Sequence, residues 1–258
     1  MVRFNDWCST ANTTIGAHSL CVLSADPARL KIAIDAIAVV VPGHYAAEEQ
    51  IARVLTRLGK PASAEFIQGK LPATKSIRSG DLGEILATEY IASQGGYTVP
   101  VKRLRWKDHR NMAMRGDDVI GITKDQVTDR LRFLKAEAKS RAMLGGGVVA
   151  QARDGLDKDG GLPSAHALSF ISSRLQELGE HALADAIIDA QLKIGIAVQD
   201  TRHLLFTFSG NAPDAYLTAA LQTYTGPIAQ WSVGLRVDGH TGFVGAIYDQ
   251  VIFNAYNR

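Results

Sequence analysis

Cysteine is scarce in this chain. Cys8 and Cys21 are the only two in 258 residues, and neither lies in a Cys-x-x-Cys pair or a Cys/His array. A structural zinc site or an iron–sulfur cluster therefore lacks its ligands, and a reducing, cytoplasmic setting is the expectation. Long apolar runs are missing too. The longest, Ala36 to Val41, stops at Pro42 and is far too short to cross a bilayer, and Met1 to Trp7 has no apolar stretch of a signal peptide. Excess charge of either sign is absent, since 28 Lys and Arg meet 26 Asp and Glu for a net charge of +2. A chain that gripped nucleic acid by bulk electrostatics alone would be more basic. Gly145-Gly146-Gly147 lacks the Gly-Lys-Ser/Thr of a phosphate-binding loop, so any ATP-driven work would need a partner. Asp157-Lys158-Asp159-Gly160 lacks the twelfth-position Glu of a calcium loop. The seven histidines are scattered, and no Ser/His/Asp constellation is readable.

What the sequence does hold is a pair of segments, Arg115-Gly116-Asp117-Asp118-Val119-Ile120 and Phe133-Leu134-Lys135-Ala136-Glu137-Ala138-Lys139. Both read as strands, the first rich in β-branched residues beyond its acid. Strand side chains alternate, so Glu137 and Lys139 share a face with Cβ atoms roughly 6.6 Å apart, while Ala138 points the other way. If the two strands pair as an antiparallel hairpin through Lys124-Asp125-Gln126, Asp118 meets Glu137 across the ladder. Two converging carboxylates repel, and a cation resolves the repulsion. Carboxylate oxygens suit Mg²⁺, and a lysine beside them can orient or deprotonate the attacking water and steady charge on a phosphate. Asp117 competes with Asp118 for the ligand role; Asp118 is favoured because the apolar strand begins just after it.

Upstream, Ser79 to Ala92 has helical periodicity, with Leu82, Ile85, Leu86 and Glu89 on one stripe and Gly95-Gly96 ending it. Glu84 sits at the edge of that stripe. Asp81 followed by Glu84 also fits a capping box at the helix start. Tyr97 to Leu104 reads as a further strand. Lys102, Arg103, Arg105, Lys107, His109 and Arg110 crowd around Trp106, either as a solvated strand and loop or as a groove wall for a phosphate backbone with Trp106 stacking on a base or packing underneath. Elsewhere the pattern gives a strand near Leu20 to Leu23, an apolar segment at Ile32 to Val41, a helix from Ala46 to Leu58 and a linker or partly extended segment from Pro61 to Thr74. Helices follow at Ser164 to Gly179 and His181 to Leu192, then a strand at Arg202 to Phe208 and an apolar piece at Gly242 to Asn254. Gln151 and Arg153 begin the helix after the Glu137 strand, where a polar residue could touch a phosphate.

The order helix, strand, strand, strand, helix, with acids and lysine on the second and third strands, resembles the PD-(D/E)xK nuclease superfamily. Asp118, Glu137 and Lys139 match its motif, and Glu84 matches the first-helix glutamate of many members; no proline precedes Asp117-Asp118. The resemblance implies an α/β restriction-endonuclease-like core (helix, three-strand meander, helix, strand) with N- and C-terminal elaborations. On that basis residues 1–75 form an N-terminal α/β elaboration and linker, and 76–258 the nuclease domain with its C-terminal extension. Asp118, Glu137 and Glu84 would hold Mg²⁺, with Mn²⁺ able to substitute, and Lys139 would position water.

Arg78-Ser79-Gly80-Asp81-Leu82-Gly83-Glu84, taken with the two acidic segments, also resembles the HamA nucleases of the Hachiman anti-phage defence system over most of the chain. That resemblance implies a metal-dependent DNA nuclease held in check by HamB, a superfamily 2 helicase, until DNA is disturbed. The competing expectation is a non-catalytic regulatory or DNA-binding subunit of a helicase complex, and the motif alone leaves RNA open as a substrate.

Overall fold

The computed structural model describes residues 1–257. Its centre is one six-stranded mixed sheet in the order β1-β2-β6-β5-β4-β3. The strands are β1 (Cys8–Ile15), β2 (His18–Ala25), β3 (Val119–Lys124), β4 (Leu131–Arg141), β5 (Thr201–Ser209) and β6 (Gln230–Arg236). The hairpins β1/β2 and β3/β4 are antiparallel, while β2/β6, β6/β5 and β5/β4 are parallel. Parallel strands are covered on both faces, and β5 shows it: all of Thr201–Ser209 except Arg202 is buried.

Helices divide between the two faces by strand parity. On one face Leu134, Ala136, Leu204, Phe206 and Leu23 join α1 (Leu30–Val40), α4 (Lys75–Gln94) and α9 (His240–Asn257) in the largest apolar cluster. On the other, Leu205, Leu20 and Val22 meet α5 (Gly146–Asp157) and α8 (Asp214–Thr223). Phe133, Ile120 and Ile122 meet α6 (Ala165–Glu177) and α7 (His181–Asp189) on that same side. The short α2 (Pro42–Tyr45) and the long α3 (Glu48–Lys70) complete the set. No single helix among the described residues is long and apolar enough to cross a membrane.

Several expected elements change form. The strand at Tyr97 to Leu104, the first of the expected meander, shrinks to one bridge, Thr98 to Ile122, before the chain enters a 3₁₀ turn at Arg103–Trp106. Pro100 has no N–H to continue a ladder. The expected linker after Pro61 is helix instead: α3 runs to Lys70 through a kink at Gly59, where φ is +83°, and Pro61 begins the second half. Pro is well placed in a first turn, because its missing N–H would have no helical acceptor there. The stretches 32–41 and 242–254 are helices α1 and α9. Strand β1 was not legible because Cys-Ser-Thr-Ala-Asn-Thr-Thr-Ile has no apolar face; six of its eight residues are exposed. Residues 1–75 supply two strands of the common sheet, β1 and β2.

The capping-box reading of Asp81 and Glu84 fails. Helix α4 starts at Lys75 with Thr74 as N-cap, which puts Asp81 and Glu84 inside it. Leu82, Ile85, Leu86 and Glu89 are buried as the periodicity required, and Gly95 closes the helix in the left-handed conformation.

Candidate active site

The β3/β4 register pairs Val119 with Ala136, and one step outward along the same ladder Asp118 stands opposite Glu137. Gly116, at φ +92°, makes the turn into β3. The two neighbouring acids then part. Asp117 accepts from the Ser164 backbone N–H at 2.8 Å and its hydroxyl at 2.9 Å, and lies 3.5 Å from the Lys135 ammonium. It ties the turn to the start of α6. Asp118 points into the cluster: its Oδ2 accepts from the Ala138 N–H at 2.9 Å and its Oδ1 from Arg103 at 3.0 Å.

Lys139 lies on the Glu137 side of β4, as strand alternation requires, and donates to Glu137 Oε1 at 2.5 Å. Glu84 reaches the same place from α4 and takes both arms of the Arg103 guanidinium, at 2.9 Å each. All four expected side chains are thus brought to one cluster, with Arg103 among them. Three of the acids do not close on a common point: among the described residues no group of three His, Cys, Asp or Glu is arranged to hold a metal ion.

Charge in the cluster is frustrated. Burial pushes the Glu84 carboxyl up to about 7, with Asp118 adding to the rise and Arg103 opposing it. Burial and the facing Asp118 also raise Glu137, against the pull of Lys139 and Lys158. Arg103 is held above its usual range: burial works against its charge, but Glu84, Asp118 and Glu137 outweigh it.

Sequence reasoning missed two supports. Lys135 is buried on the Glu137 side of β4 and donates to the carbonyls of Lys158 at 2.7 Å and Leu162 at 3.0 Å, pinning the chain after α5 beside the cluster. Gly155 of α5 lies so close to Glu137 that a Cβ there would sit 2.8 Å from Cδ of the carboxylate. The alternation in β4 showed that Lys135 shares a face with Glu137; nothing local showed what it binds.

The basic stretch around Trp106 is largely spent within the fold. Arg105 donates to the Gly43 carbonyl, Lys107 holds Asp81, and Trp106 sits edge-on to Phe170 at 6.1 Å rather than offering a free stacking face. Arg153 turns from the cluster toward His203, Gln230 and Asp157. Beside the acids lies a cleft of about 60 Å³ lined by Glu84, Arg103, Asp118, Arg115 and His166. It adjoins a groove of about 670 Å³ with His109, Arg115, His166 and Arg174 on its walls.

The model of the HamA family matches residues 1–251, nearly the whole chain. This chain belongs to the HamA family. A curated relative, the Hachiman protein HamA of Bacillus cereus, is 27% identical over 194 residues, covering 74% of this chain and 68% of the relative. The match to the HamA model includes α4, β3 and β4, so the acid cluster lies within the family region.

Proposed function

We propose that this HamA-family chain is the nuclease of a Hachiman anti-phage defence system, a Mg²⁺-dependent phosphodiester hydrolase on a PD-(D/E)xK core and under the control of a HamB-like helicase. The observation that carries the reading is Asp118 facing Glu137 across β3/β4 with Lys139 on the same strand face. Helix α4, the antiparallel β3/β4 pair, helix α5 and, after α6 and α7, the parallel strand β5 follow the order of that core except for its first meander strand, which is reduced to the Thr98–Ile122 bridge.

The donors suit the ion. Mg²⁺ is commonly held by one or two carboxylates with the remaining positions left to water and substrate phosphate. Asp118 and Glu137 would hold it; burial first and then the facing Asp118 raise Glu137, and a bound cation would relieve the second of these. When bound, it would polarise a phosphoryl oxygen and ease deprotonation of water. Lys139 then orients the attacking water and offsets charge developing on the phosphate. The groove carries Arg115 and Arg174, the second shared with Glu177, with His109 and His166 beside them as hydrogen-bonding groups for a DNA backbone. Near-neutral net charge fits a chain that relies on a partner for much of its DNA affinity.

The test is cleavage of linear, circular and nicked DNA and of RNA, with Mg²⁺ or chelator, alone and with the helicase partner. Wild type is compared with Glu137→Ala/Lys139→Ala. Loss of Mg²⁺-dependent cleavage in the double variant is expected; equal cleavage by both proteins overturns the site.

A further inference from the structure

We infer that the site is built for one divalent cation, with the Arg103 guanidinium as a fixed positive charge where a second would sit, which makes Glu84 a positioning residue and not a metal ligand. This rests on the nuclease reading above and specifies its metal set.

All five N–H donors of Arg103 are accounted for. Nε and one Nη2 hydrogen go to the two oxygens of Glu84, the other Nη2 hydrogen to Asp118 Oδ1, and Nη1 to the carbonyls of Asp117 at 2.7 Å and Arg115 at 3.3 Å. Fork-to-fork pairing of this kind fixes direction as well as charge. Both oxygens of Glu84 face the guanidinium, whose Nη2 bridges Glu84 and Asp118, so the positive charge stands between Glu84 and the Asp118 carboxylate. Asp118 is gripped on one oxygen by Arg103 and on the other by the Ala138 N–H, which leaves its remaining lone pairs and the facing Glu137 for an ion.

Displacement of the guanidinium is disfavoured on two counts. Side-chain exposure is only 12% for Arg103, 16% for Glu84 and 17% for Asp118, so displacing the guanidinium would break its five hydrogen bonds among part-buried groups. The turn that carries Arg103 is also stitched down: Leu104 is buried, Arg105 holds the Gly43 carbonyl, and Lys107 grips both oxygens of Asp81. Arginine keeps its proton at any working pH, so the positive charge is permanent.

The experiment is Mn²⁺ titration of the full-length chain, followed by calorimetry and electron paramagnetic resonance. Wild type is expected to bind one ion. Glu84→Gln keeps that one ion with affinity within threefold, while Asp118→Asn and Glu137→Gln each lose it by tenfold or more. Folded Arg103→Met is expected to gain a second ion, with the exchange-broadened spectrum of two Mn²⁺ sharing a carboxylate. Two ions on the wild type, tenfold weaker binding in Glu84→Gln, or a single ion on folded Arg103→Met overturns the inference and leaves a metal-dependent nuclease standing. A wild type that binds no Mn²⁺ and cleaves nothing even with its helicase partner overturns the nuclease reading itself.

Discussion

Helix α4 carries two acids three residues apart, the buried Asp81 and the part-buried Glu84, and both take a cation from the same short turn. Asp81 is held by Lys107 at 2.8 and 2.9 Å and by the Tyr45 hydroxyl at 2.9 Å, with Tyr45 in turn bonded to Tyr248 at 2.8 Å. Its charges balance, one carboxylate to one ammonium. Around Glu84 three carboxylates, Glu84, Asp118 and Glu137, share two directly paired cations, Arg103 and Lys139, with the exposed Lys158 acting on Glu137 from farther off. The same helix face therefore holds one closed ion pair and one cluster with negative charge to spare. Balance suits a structural pair; the surplus is the observation behind the metal site proposed above.

Removing a partner from the balanced pair should cost most. Asp81→Ala leaves the Lys107 ammonium buried at 4% exposure without its acid, which should destabilise the fold by about 3–5 kcal/mol. Urea unfolding checks the figure. A loss below about 1 kcal/mol would remove the contrast between the two clusters. In the surplus cluster the sign reverses. Glu137→Gln removes a repulsion with Asp118, so its melting temperature should stay level or rise, while Mg²⁺-dependent cleavage falls on the order of 10²- to 10³-fold. A drop in stability of the Asp81→Ala size would mean that Glu137 is structural.

A third, neutral polar cluster sharpens the comparison through pH. His203 is fully buried in β5, bonded to the Gly161 carbonyl at 2.7 Å and to Arg153 at 2.7 Å. Burial, with Arg153 and Lys135 nearby, depresses it to about 4 from 6.5, although the Gly161 carbonyl pulls the other way. With the folded value below the unfolded one, the unfolded chain binds more protons between those limits. Stability is then full above about pH 6.5 and lost as pH falls toward 4, by about 2 kcal/mol at pH 5. Unfolding curves at pH 7 and pH 5 for wild type and His203→Gln test this; the variant should lose that part of the slope.

The hairpin half of the site was legible because its logic is local. Period-two alternation put Glu137 and Lys139 on one face, and a short turn fixed the register that sets Asp118 against Glu137. Arg103 was not legible. It stood as one of several cations around Trp106, and its acidic partners lie 19 and 15 residues away. Which cation turns inward is decided by α4 packing on β4 and by Pro100 ending the strand early. The Asp81 capping box misled for a related reason: the local pattern was sound, but the helix had already begun at Lys75. Strand β1 and its polar sequence acquired a place only from pairing with β2.

The smallest effect on stability tests how tightly the surplus cluster is framed. Gly155 lies within α5, where alanine would ordinarily add about 1 kcal/mol of helix stability. Its Cβ, however, would stand 2.8 Å from Glu137 Cδ and 2.9 and 3.0 Å from the carboxylate oxygens. The obstructing atoms are the end of a side chain, so the carboxylate yields before the backbone does, and the strain offsets much of the helical gain. Gly155→Ala should therefore leave stability within about 1 kcal/mol of wild type while moving Glu137 off its position. A displacement of about an ångström costs cleavage about 10- to 100-fold. Combining Gly155→Ala with Glu137→Gln separates this cause from a general loosening of α5: acting only through Glu137, the glycine change adds no further loss in the double variant. Additive losses would place the role of Gly155 elsewhere.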